Sequence, residues 1–160
     1  MLEPVGEEIR AGDDTWRFYA KPAGALQPAR AEPLAEWANG ARLWECRLEG
    51  DLARGGTAEV TLLWQATQPG GDRVLHLFNH LVYAPDGRLV SQLDGPGVHT
   101  PYWQAADFLI TRFTIPIPQD APAGRYELRV GMYGLVDNQR VPLAGGGDAP
   151  AVAGFELPEG

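Results

Sequence analysis

Cysteine, serine and lysine are almost missing from this 160-residue chain, with Cys46, Ser91 and Lys21 their only representatives. A single thiol excludes an intramolecular disulfide and any cysteine-cluster metal site, and it does not distinguish a reducing from an oxidising compartment. A single serine outside any G-x-S-x-G elbow leaves no nucleophile of the hydrolase type. No apolar run approaches the roughly 20 residues of a membrane-spanning helix. The first residues, MLEPVGEEIRAGDD, lack the basic start and apolar stretch of a signal peptide. Basic charge is short as well: 13 Lys and Arg stand against 21 Asp and Glu, for a net charge of -8. Such a surface repels phosphate backbones, so no nucleic-acid partner is expected. Neither a P-loop nor G-x-G-x-x-G occurs, and the triple glycine at 145–147 lacks the Lys-Ser/Thr that phosphate binding requires.

Glycine and proline are plentiful, at 20 and 14 residues, without a collagen-like period. They mark many turns between short strands. The clearest turn signals are PGGD at 69–72, APDG at 84–87, DGPG at 94–97, PQDAPAG at 118–124 and GGGD at 145–148. Between them the apolar residues alternate with period two. In 57–66 (TAEVTLLWQA), Val60, Leu62 and Trp64 share one face while Glu59, Thr61 and Gln65 share the other. Strands are expected over 42–48, 57–66, 74–83, 89–92, 108–115, 126–133 and 152–157, with a further one over 15–20. A helical turn is expected over Leu34–Trp37, ended by the Asn39-Gly40 turn, and a two-residue hairpin at Pro85-Asp86-Gly87. This pattern predicts an all-β chain: an antiparallel β-sandwich, immunoglobulin-like or jelly-roll, with Greek-key features. Residues 1–40 are expected as an irregular extension with an edge strand, and residues 41–160 as the sandwich domain. Tyr126 follows a Pro/Gly corner and shares a face with Leu128 and Val130, so its ring points to the core and its hydroxyl back onto the preceding loop.

Several stretches together resemble a bacterial extracytoplasmic β-sandwich family often attached to multi-spanning membrane proteins of the glycosyltransferase type. They are LLWQA at 62–66, FNHLVYAPDGRLVSQLDGPG at 78–97, Pro101-Tyr102-Trp103, and PQDAPAGRYELRVGMY at 118–133. The resemblance spans roughly residues 40–157 and implies an accessory or interaction domain on the outer side of a membrane, with no activity of its own.

Chemistry-bearing residues are few. His76 and His80 point to one face of a strand but stand about 13 Å apart at the strand rise, too far for one metal ion. Asp94 and His99 would have to fold back to complete a site, so no metal is expected and His80 is assigned a structural role, bridging its hairpin to the DGPG loop. Paired carboxylates such as Asp94 with Asp107 flank turns and read as caps. Cys46 alternates with Trp44 and Leu48 as a small core residue would, and Trp44 and Trp64 are expected in the core. Trp16, Trp37, Tyr102 and Trp103 fall in or beside irregular segments, where their rings either plug the ends of the sandwich or stack on a ligand. Tyr102, Trp103, Gln104 and Asp107 form the one local constellation of aromatic, amide and carboxylate that suits a sugar. The expectation is therefore a non-catalytic module without cofactor that binds a protein partner in a cell-envelope assembly, with carbohydrate binding through loop aromatics as the alternative.

Overall fold

The structure is a computed structural model that describes residues 28–96 and 100–159, together with the backbone of four short strands ahead of them. Those four are β1 (Glu3–Pro4), β2 (Ile9–Ala11), β3 (Asp14–Trp16) and β4 (Tyr19–Lys21). Eight more follow: β5 (Ala35–Glu36), β6 (Ala41–Asp51), β7 (Thr57–Ala66), β8 (Leu75–Tyr83), β9 (Arg88–Pro96), β10 (Phe108–Pro116), β11 (Gly124–Gly134) and β12 (Ala151–Leu157). Among the described residues there is no α-helix, only a 3-10 turn at Thr100–Tyr102.

Two antiparallel sheets carry the architecture. One has the order β1-β4-β10-β7-β6-β5 and the other β12-β11-β8-β9, while β2 and β3 form a separate ribbon. The chain crosses between sheets so that β10 returns beside β7 and β11 beside β8. These non-sequential neighbours are the crossings that a Greek-key sandwich requires. The period-two alternation explains why the sheets stack. Ala58, Val60, Leu62, Trp64 and Ala66 of β7 are all buried, and Leu109, Phe113 and Ile115 of β10 share that inner face. The opposing sheet contributes Leu77 and Leu81 from β8 and Tyr126, Leu128, Val130 and Met132 from β11. At about 25 cal/mol per Å² of apolar surface removed from water, this interdigitated layer is the dominant stabilising term.

Local departures from the sequence reading have identifiable causes. Leu34–Trp37 is not a helical turn. Ala35 and Glu36 pair with Leu43 and Arg42, and Trp37 bridges to Leu143, so the segment closes the sandwich as edge strand. The turn at Asn39-Gly40 stands, with Gly40 at φ 78° and its N–H donating to Trp37 O at 2.9 Å. The β8–β9 connection is a four-residue loop, Ala84 to Gly87, because Tyr83 pairs with Arg88. Only Gly87 takes a positive φ there, 73°, where type I′ geometry would need two. Asp94, Gly95 and Pro96 are not a turn but the end of β9, paired with Phe78, Leu77 and His76. The strand expected over 15–20 includes residues 17–18, outside the described residues, and β3 and β4 flank them.

Candidate functional site

The loop constellation expected to bind a ligand is built as a self-satisfied corner. Trp103 is only 4% exposed and belongs to the core cluster, so neither ring face is offered to a sugar. Tyr102 beside it is 49% exposed. Gln104 and Asp107 do come together, but through the backbone: the Gln104 N–H donates to Asp107 Oδ2 at 3.1 Å, and the Asp107 N–H returns to Gln104 O at 3.1 Å. Ala106 between them is held at φ 74°. Asp107 therefore caps its own turn and Trp103 plugs an end of the core, while Tyr102 and the Gln104 side chain are exposed. Trp37 is likewise core, buried against Trp64 at a centroid distance of 5.1 Å. The Trp16 side chain lies outside the described residues.

Tyr126 is fully buried, and its hydroxyl donates to Pro122 O at 2.8 Å, the geometry of a tyrosine corner. Tyr83 adds a second bond, from its hydroxyl to Ala123 O at 2.9 Å.

His76, Phe78 and His80 stand on the outer face of β8, opposite Asp94 of β9 and Tyr133 of β11. His80 Nε2 lies 3.7 Å from Asp94 Oδ1, an ion pair only when the imidazole is protonated, and Asp94 Oδ1 has no hydrogen-bond partner among the described residues. The stack above is closed: Phe78 lies 4.7 Å from His80 and 6.5 Å from Tyr133, and the Arg140 guanidinium sits 4.6 Å over the Phe78 ring. Arg140 is itself held by Asp148 at 3.0 Å. Burial pushes the His80 imidazole below its ordinary range, outweighing the attraction of Asp94, with Arg140 adding to the depression. His76 is lowered by burial too, again against Asp94. Burial first, and Asp94 second, raise the Tyr133 phenol, whose hydroxyl bonds to Asp94. The described residues contain no group of three His, Cys, Asp or Glu placed to hold a metal ion, and His99 lies outside them. This face is a packed clasp between three strands and the β11–β12 connection.

The open site is elsewhere, and it was hidden by a β-bulge. In β6 the register slips between Leu43 and Glu45: Leu43 faces Trp64, and Glu45 faces Leu63. The additional residue is Trp44. It inverts the alternation, so the inward residues of β6 are Leu43, Cys46 and Leu48, not Trp44, Cys46 and Leu48. Trp44 is thereby turned to the outer side, where its Nε1–H donates to Gln65 Oε1 at 2.9 Å. That bond holds the indole in place over a cavity of about 490 Å³ lined by Arg30, Leu34, Trp44, Glu45, Arg47 and Arg112, among others. Thr61 and Leu63 of β7 and Ile110 of β10 line it from the outer face of the sheet, and Cys46 and Val152 also line it. Because β5 is two residues long, β6 beyond it has no further strand neighbour among the described residues, which keeps that side open. Glu45 Oε1 accepts from the Ala29 N–H at 3.3 Å. Burial pushes the Cys46 thiol up to about 11, so it is neither a nucleophile nor a thiolate ligand at neutral pH.

No family model matches the chain, and no curated protein sequence matches it. Among solved structures it is similar to the C-terminal domain of wzt, with a TM-score of 0.59 and 13% sequence identity over 84% of this chain and 83% of that one. The likeness is one of fold: both chains are β-sandwiches.

Proposed function

We propose that this domain is a non-catalytic glycan-binding module whose site is the cavity at the Trp44 bulge. The observation that carries the reading is the Trp44 indole, fixed by Gln65 and set among arginine and glutamate side chains in a cavity of about 490 Å³. A sugar ring has an apolar face of C–H groups and a rim of paired hydroxyls. An immobilised indole suits the face, and the forked donors of Arg and the acceptors of Glu suit the rim. The volume falls within the roughly 300–1,000 Å³ typical of small-ligand sites. A sandwich scaffold like that of the wzt C-terminal domain supports the reading, as does the resemblance of residues 40–157 to accessory domains of glycosyltransferase-type proteins; the same resemblance supports placing it at a cell envelope.

The test is a glycan array probed with labelled protein, run in parallel with Trp44→Leu. Binding lost in the variant, with an unchanged folding transition, is the expected result. A positive array left intact by Trp44→Leu, or no glycan bound at all, refutes the reading.

A second reading, docking of a protein partner, is favoured by Leu135 and Val136, which are 48% and 94% exposed side by side in the β11–β12 connection. Retention of a partner that Val136→Asp abolishes, with a blank array, is the outcome that would favour it.

A further inference from the structure

Resting on the glycan reading of the same cavity, we infer that its preferred ligand is an anionic sugar, recognised by Arg30, Arg47 and Arg112 through a carboxylate or phosphate. The chain as a whole carries 21 acidic and 13 basic residues. Around this cavity the balance is reversed, with three arginines and one carboxylate, Glu45, among the lining residues. The Glu45 side chain is engaged by the Ala29 N–H. Among the described residues Arg47 has one ion pair, with Glu49 at 3.7 Å, and both side chains lie mostly in solvent, which makes it a weak surface pair. Arg30 and Arg112 have no carboxylate within ion-pair distance among the described residues, whereas Arg42, Arg73, Arg129 and Arg140 are each paired at 3.1 Å or less.

The three arginines reach the cavity from separate places. Arg30 comes from the segment before β5, Arg47 from β6 and Arg112 from β10, two strands further along the sheet. β7 lies between β6 and β10 and contributes Thr61, which pairs across the ladder with both Arg47 and Arg112. One row of the outer face thus reads Arg47, Thr61, Arg112: two guanidinium groups flanking a hydroxyl. Arg47 and Arg112 stand two strands apart, roughly 10 Å at the usual strand spacing, so an anion seated over Thr61 between them is attracted by both. Guanidinium forks bind carboxylate and phosphate oxygens in a bidentate manner, and such charge-assisted bonds are roughly twice as strong as neutral ones. In an otherwise acidic protein, the row also discriminates against the neutral congener of the same sugar.

The experiment pairs acidic oligosaccharides with neutral copies of themselves. Tetrasaccharides of galacturonate, mannuronate, guluronate and glucuronate, each free and as the methyl ester, are titrated by calorimetry at low ionic strength, with glucose 1-phosphate as competitor. At least one free acid is expected to bind about tenfold more tightly than its ester, and added salt should reduce that ratio. Arg112→Gln and Arg47→Gln, both exposed positions, should weaken the acid far more than the ester, so that the acid-to-ester ratio falls toward one. Displacement by glucose 1-phosphate would extend the site to phosphate, and its failure would restrict the site to carboxylate. Acid and ester bound equally would overturn the anion preference and leave glycan binding standing. No member of any pair bound would overturn both.

Discussion

Replacing Tyr126 by Phe isolates one hydrogen bond at the corner that starts β11. The ring stays buried and keeps its partners Tyr83 and Phe155, each 5.4 Å away between centroids. What is lost is the bond of 2.8 Å to Pro122 O, a carbonyl for which no other donor is present among the described residues. Pro122 is half-buried, so water replaces the lost donor only in part, and the cost falls in the lower half of the about 1–3 kcal/mol of an unmet buried acceptor. With a central value of about 1.5 kcal/mol, a domain of this size should melt roughly 3–6 °C lower. Tyr83→Phe removes the neighbouring bond of 2.9 Å to Ala123 O from a half-buried side chain, for about 1 kcal/mol. Because consecutive carbonyls are held by the two hydroxyls, the losses should not add, and the double variant should depart from the sum by at least about 0.5 kcal/mol. Urea titration followed by tryptophan fluorescence measures all three, with a shifted midpoint and unchanged slope expected. If Tyr126→Phe lies within about 0.5 kcal/mol of the parent, the hydroxyl is not a structural tie and the reasoning fails.

Cys46 should resist thiol reagents at pH 8 in the folded protein and react at once in urea, since burial raises its thiol to about 11 from 9.0. The unfolded chain releases that proton first, so stability should fall as pH rises through this window; a Cys46→Ala variant that loses stability just as steeply would contradict the assignment. His76 and His80 are depressed by burial, so the unfolded chain takes up protons below about pH 6.5 before the folded one does. Stability attributable to them is complete above pH 6.5 and declines as pH falls below it; a flat urea midpoint from pH 7 to 5.5 would refute this. Gly131→Ala would place a methyl 2.6 Å from Asp148 O and against the Phe78 ring. A loss of at least about 2 kcal/mol is expected on thermal melting, and a neutral result would mean that the β11–β12 connection is free to lift.

The sandwich was legible because half-buried strands write their faces in alternate residues, and β7 does so from Ala58 to Ala66 with one exception, the buried outward residue Leu63. Turn residues located most of the connections. DGPG misled because Gly95 and Pro96, ordinarily punctuation, sit in β9, where Pro96 ends an edge strand that needs no N–H donor there. The site was not legible for a related reason. A strict alternation through Trp44, Cys46 and Leu48 puts all three on one face, and only the pairing of Glu45 with Leu63 reveals the additional residue. No local signal in Leu43-Trp44-Glu45 marks the bulge. The loop aromatics misled in the opposite sense: Trp37 and Trp103 sit in irregular backbone, yet each fills an end of the core.

The central claim is that Trp44, and not Trp103, meets a sugar. The measurement closest to it is a two-dimensional ¹⁵N–¹H spectrum of the indole N–H signals while the best array glycan is added, with Trp44→Leu providing the assignment. The Trp44 signal, whose N–H is bound to Gln65, is expected to move saturably while those of Trp37, Trp64 and Trp103 stay fixed. Movement of Trp103 with Trp44 unmoved would contradict the account.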